Sequence, residues 1–287
     1  MKKNRSILFH IPECPSYTTI KMGNCFSIGG SKTTASKHNA DDLPAVEDQV
    51  VGNKKQEEAP AEKPKPMVFA LMRNGHEVIR GTVREVEDYL KAGDVEQAIM
   101  SYTNLMKWMN LHLRMEEGNR DGVTPMGFFA VLDQKFDNIA TKEGLRDEHD
   151  DIDELEKSMD EAVGTKDLEK IKQAFVAFKT ANEDHLKKEE SVMMKKVMEM
   201  KKNGENMKEI MIKELLATII DDEEFPFFVK HANYIFDKFD DGNPKARVFD
   251  HALWAVATPE QWQQWKLWIE ESLPESRFKE VMAVIGN

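Results

Sequence analysis

Six side chains in this sequence have the types and the spacing to bind metal. Shifting the chain by 73 residues carries His76 onto His149, Asp94 onto Asp167, His112 onto His185 and Glu116 onto Glu189. The stretches His112-Leu113-Arg114-Met115-Glu116-Glu117 and His185-Leu186-Lys187-Lys188-Glu189-Glu190 are nearly the same. Each half therefore reads as a histidine followed, 36 residues later, by a His-x-x-x-Glu. Imidazole nitrogens and carboxylate oxygens ligate first-row metal ions, and helical side chains four apart share one face. A lone histidine on an apolar face is ordinarily a core residue satisfied by a neighbour. Six ionisable groups in duplicate are different, because burying two carboxylates without a cation costs several kcal/mol each.

The spacing also sets their heights. His76 to Gly93 is 17 residues along one helix, and Gly93 to His112 is 19 along the next. At about 1.5 Å of rise per residue, the two histidines end within roughly 3 Å of one level. The segment 149–166–185 repeats those counts, so four imidazoles and two carboxylates converge inside a bundle. A donor set without thiolate admits iron, manganese, zinc or nickel. Six ligands from four helices suit two ions with each Glu able to bridge, filling eight of the twelve positions of two octahedral ions. The two carboxylates leave excess positive charge, which invites an oxo or hydroxo bridge, water or a further carboxylate. The reading is a two-metal site, with iron the foremost metal.

The elements that must position these groups follow from periodicity. Ile79, Val83, Val86 and Leu90 form one helical stripe, which Lys91-Ala92-Gly93 ends. Asp94 and Gln97 open a second helix carrying Ala98, Tyr102, Leu105 and Met109. Residues 118–126 form a loop, Phe128 and Phe129 sit in a short apolar segment, and a third helix starts near residue 143. After a turn at Gly164-Thr165-Lys166, a fourth helix presents Ile171, Phe175, Phe178 and Asn182. The expected fold is all-α: an antiparallel four-helix bundle over residues 66–203. Residues 204–287 read as an accessory helical region, with Thr258-Pro259-Glu260-Gln261 as a helix start. Residues 1–65, polar and proline-punctuated, read as a disordered tail and linker.

Composition bounds the remaining options. The 287 residues are 40% hydrophobic and 32% charged, an ordinary soluble balance. The net charge of −12 argues against a general nucleic-acid binder. No run of apolar residues is long enough to span a bilayer. Cys14 and Cys25 are the only cysteines, which excludes a disulfide framework, a Cys-ligated zinc site and an iron–sulfur cluster. A reducing, cytoplasmic setting is expected.

The order His, His-x-x-x-Glu, His, His-x-x-x-Glu over residues 76–189 resembles the hemerythrin-like HHE cation-binding domain, a four-helix bundle around a non-haem di-iron centre. The match covers roughly residues 67–203. The resemblance implies His76, His112, His149 and His185 as terminal ligands and Glu116 and Glu189 as bridges. Oxygen-carrying hemerythrins typically place two histidines four apart on the third helix, whereas here Asp153 follows His149. Either Asp153 replaces that ligand or water fills the position, and both options move weight from reversible oxygen carriage to oxidation chemistry or sensing. The implied function is binding or sensing of dioxygen, nitric oxide or iron, with peroxide a further small ligand. The alternative is a di-iron enzyme of iron-centre repair or of peroxide or nitric oxide removal. Repair proteins of this family often carry a Cys-bearing N-terminal domain, which this chain offers only as Cys14 and Cys25.

Other signals are less specific. Met22-Gly23-Asn24-Cys25-Phe26-Ser27 fits an acylation pattern. Translation from Met22 would allow myristoylation of Gly23 and palmitoylation of Cys25, and so peripheral membrane anchoring; otherwise the match is chance. Trp254, Trp262, Trp265 and Trp268 crowd the C-terminal region, where packing on the bundle competes with a protein-partner surface. His231 and His251 lack the repeat and read as structural, and Met193 and Met194 read as core filler. The charge runs at 147–153 and 187–190 read as solvated faces apart from the ligands. Phe128 and Phe129 are candidates to line a ligand channel.

Overall fold

The computed structural model describes residues 67–118, 125–239 and 245–285. The expected tail at 1–65 and the acylation motif with Gly23 and Cys25 lie outside the described residues. The described chain is all-helical. Helices α1 (Met67–Ala92), α2 (Val95–Glu117), α5 (Leu145–Thr165) and α6 (Leu168–Lys202) are long, with the short α3 (Phe128–Lys135) and α4 (Ile139–Lys142) between α2 and α5. Next come α7 (Met207–Ile210), a π turn and a 3₁₀ turn over Met211–Thr218, then α8 (Phe225–Lys238), α9 (Lys245–Trp254), α10 (Pro259–Ser272) and α11 (Glu275–Ile285).

Two hairpins make the frame, and both turn as the repeat suggests. Gly93 takes a left-handed conformation at φ 77°, and Asp94 caps α2 by accepting the Gln97 amide at 3.1 Å. In the second hairpin the equivalent left-handed position is occupied by Lys166 at φ 54°, and Asp167 accepts the amides of Glu169 and Lys170. Gly164 lies inside α5 and is not the turn residue. α1 packs on α2, α5 on α6, and α1 also runs against α6.

The other side of α1 is covered by α8 and α9, with α10 on α8 and α11 on α9. One hydrophobic core runs continuously from Leu71 to Ile285. Trp108 of α2 stacks face to face on Phe228 of α8, with centroids 4.3 Å apart. At Gly81 the approach of α8 is so close that a Cβ would lie 2.3 Å from Ile235 Cγ2. His231 is buried and bonds Thr82 Oγ1 at 2.9 Å, a packing role, whereas His251 is exposed. Trp265 is buried and packs on Phe225, Trp262 and Trp268 are partly buried, and Trp254 is exposed. Met193 is buried and Met194 packs against the same core. No described helix is long and apolar enough to cross a membrane.

One core contact has a cost. Asp250 is fully buried and accepts from Asn233 Nδ2 at 3.0 Å, while its Oδ2 and Asn233 Oδ1 have no hydrogen-bonding partner among the described residues. Burial raises the Asp250 carboxyl to about 7. An acid whose pKa is raised on folding loses stability as pH climbs from its unfolded value to its folded one. Asp250→Asn should therefore stabilise the protein above pH 7, by up to about 4 kcal/mol, and flatten the decline between about pH 4 and 7. Denaturant titrations at pH 5 and 8 would show it; equal pH dependence in both proteins would refute the assignment.

Candidate metal centre

The predicted donors come together. His76 sits on α1, His112 and Glu116 on α2, His149 on α5, and His185 and Glu189 on α6, and all six are buried. Two groups of donor atoms, each within 4.8 Å of one another, are His76, His112, Glu116 and Glu189, and Glu116, His149 and His185. Glu116 belongs to both because its oxygens diverge. Oε1 lies 2.7 Å from His112 Nε2, and Oε2 lies 3.5 Å from His149 Nε2. Glu189 Oε2 lies 3.1 Å from His76 Nε2 and 3.7 Å from His185 Nε2.

The outer nitrogens show which inner atoms are left bare. His76 Nδ1 donates to Glu190 at 3.0 Å, His149 Nδ1 to Glu117 at 2.7 Å and His185 Nδ1 to Glu148 at 3.0 Å. A neutral imidazole that donates from Nδ1 presents a lone pair at Nε2. The Nε2 atoms of His149 and His185 nevertheless face each other at 2.9 Å. Two lone pairs at that distance repel unless a proton or a metal ion lies between or beside them. Cis ligands about 2.1 Å from one ion would stand about 3 Å apart, which matches this pair and the 2.7 and 3.1 Å contacts above. His76 Nε2, both nitrogens of His112 and all four oxygens of Glu116 and Glu189 are buried without a hydrogen-bonding partner among the described residues. The short His–Glu distances are thus contacts without hydrogen-bond alignment. These residues fit a metal ion.

Without a cation the donors must share protons instead. Burial works against charge on His76, but Glu189, Glu116 and Glu190 outweigh it and hold its pKa well above the usual value. His149 rises to about 10 in the same way, burial opposing and Glu116 and Glu117 prevailing. Burial drives His112 down, and burial with the neighbouring His149 takes His185 to about 4. Burial and the Glu116 charge push Glu189 to about 8, whereas the surrounding imidazoles overcome burial and hold Glu116 low.

The outer carboxylates were not legible as such. Glu148 and Glu190 fall in the charge runs read as solvated, yet each is half-buried and bonds an imidazole. Lys188 anchors Glu148 at 2.5 Å, and Arg80 anchors Glu190 at 2.7 Å. The doubled Glu-Glu of each motif is the signal that could have revealed two of them: the first Glu faces the centre and the second holds a histidine of the other hairpin. Asp153 is half-buried on a cavity of about 40 Å³ that also borders His112, Glu116, His149, His185 and Asn182. It does not belong to either donor group. Phe128 and Phe129 do not line that cavity; both are fully buried, and Phe129 stacks on His149 at 5.5 Å. No protein-family model, curated protein or solved structure matches the chain.

Proposed function

We propose that this chain is a hemerythrin-like protein whose helices α1, α2, α5 and α6 form a four-helix bundle around two non-haem iron ions, and that it binds or senses a small ligand such as dioxygen or nitric oxide. The observation that carries this reading is the set of buried Nε2 and carboxylate atoms converging from those four helices, those of His76, His112, Glu116 and Glu189 without a hydrogen-bonding partner among the described residues. Four imidazoles and two carboxylates match the nitrogen–oxygen preference of iron, and the shared Glu116 favours two adjacent ions over one. When bound, such a pair would supply redox chemistry and open positions for a small molecule.

The protein's own contribution is positional. Glu117, Glu148 and Glu190 fix three rings with Nε2 inward, and the apolar core around Ile79 and Ile152 keeps bulk water from the donors. The adjoining cavity of about 40 Å³ has room for a diatomic molecule or a few waters. Helices α8 and α9 pack on α1, the helix that carries His76, so they are placed to pass a change at the centre to a protein partner.

A second reading, a di-iron enzyme removing peroxide or nitric oxide, is favoured by Glu156. It lines the same cavity, and burial with the nearby Asp160 and Asp153 charges raises its carboxyl to about 7, where it can give or take a proton at neutral pH. An absorbance spectrum of the iron-loaded, reduced protein tests both. Bands that appear with oxygen and vanish on its removal support reversible binding or sensing. Bands that persist mean irreversible oxidation and support the enzyme or redox sensing, and no iron-dependent band refutes both.

A further inference from the structure

The two halves of the centre differ at one outer position. The shift of 73 residues that pairs His112 with His185 also pairs Gly75 with Glu148. Glu148 holds His185 Nδ1 at 3.0 Å, and both residues of that pair stand 37 positions apart, as Gly75 and His112 do. With no side chain at Gly75, His112 Nδ1 is buried and has no hydrogen-bonding partner among the described residues. His76, His149 and His185 all have a carboxylate there.

Crowding does not require this glycine. A Cβ at position 75 would lie 3.6 Å from His112 Nδ1, an ordinary contact, and the position is mid-helix, where glycine is unfavourable relative to alanine. An outer partner fixes a ligating imidazole's orientation and raises its basicity, and losing one typically weakens metal binding 10–100-fold.

We propose that the centre holds its two ions unequally, with the ion on the His76–His112 side exchangeable, because Gly75 withholds from His112 the carboxylate that Glu148 gives His185. This rests on the two-ion reading above. Ligand count works in the opposite direction, since four donors gather on the His76–His112 side and three on the other. That advantage is small, because Glu189 Oε2 stands only 3.7 Å from His185 Nε2 and a slight shift lets it serve both ions. The cavity beside the centre borders His112 but also His149 and His185, so exogenous molecules reach both sides and the inequality rests on Gly75 alone.

The test loads the full chain anaerobically with ferrous iron and follows its release to a coloured ferrous chelator. Two equivalents should leave in two phases whose rates differ about tenfold or more. His112→Ala should abolish the fast phase. Gly75→Glu should slow it towards the slow one, while Gly75→Ala, which adds a Cβ but no carboxylate, should leave it unchanged. Glu148→Ala should speed the slow phase, and this keeps the test decisive should Gly75→Glu fail to fold. Two equivalents released in one phase, or equal effects of Gly75→Glu and Gly75→Ala, would overturn the inequality alone. Fewer than two equivalents at saturation would overturn the two-ion reading and this inference with it.

Discussion

Replacing Glu189 by glutamine should abolish most metal binding while leaving the metal-free fold intact. In the metal-free protein burial and the Glu116 charge raise Glu189 to about 8, so it is a neutral acid at pH 7. Glutamine matches that acid in charge and nearly in shape, so metal-free stability at pH 7 should change by less than about 1 kcal/mol. Metal binding, in contrast, requires the ionised carboxylate. Loss of an outer partner alone costs up to about a hundredfold in affinity, so loss of a ligand should exceed that. Calorimetric titration with ferrous iron, beside thermal melts of the metal-free proteins, checks both halves. Metal affinity within tenfold of wild type would exclude Glu189 as a ligand. A second signature appears at higher pH. A raised carboxyl pKa means stability is lost as pH rises from about 4.5 to 8. Metal-free Glu189→Gln should therefore outlast wild type at pH 9.

Removing the metal should produce the other large effect, and its size should depend on pH. An ion that binds only the folded state stabilises it by about 4 kcal/mol at a thousandfold excess over Kd. That ion must displace the protons the empty donors hold. His149, raised to about 10, Glu189, raised to about 8, and His76, held well above its usual value, are all protonated at neutral pH. Binding should release about three protons near pH 7, and affinity should fall about a thousandfold for each pH unit below that. Titration in two buffers of different ionisation enthalpy counts the protons directly. Melting temperatures with and without chelator at pH 6 and 8 should show a markedly smaller gap at pH 6. A gap independent of pH would mean that His149 and Glu189 do not bind the ion.

The donor set itself is local information. His112 with Glu116 and His185 with Glu189 are i, i+4 pairs, so helical geometry alone puts each pair on one face. The repeat sets the heights of His76 and His149, because rise per residue is nearly constant. The apolar residues flanking them, such as Ile79 and Leu105, mark that face as inward. The hairpin turns are legible for the same reason: Asp94 and Asp167 cap helices through contacts two or three residues away.

The outer ring of the site follows no such local rule. Glu117 reaches His149 across 32 residues, and Glu190 reaches His76 across 114, each crossing from one hairpin to the other. A glutamate on a solvated face and one that orients an imidazole are identical in sequence. Only packing between helices separates them, α1 on α6 for Glu190 and α2 near α5 for Glu117. Packing also turns Gly75 from an unremarked residue into a gap beside His112, and it joins α8 and α9 to α1 through contacts such as Gly81 with Ile235. The sequence by itself determined which atoms face inward, since that depends on periodicity along each helix. Tertiary structure alone decided what stands behind them, since hydrogen bonds between helices depend on distances that no spacing along the chain encodes.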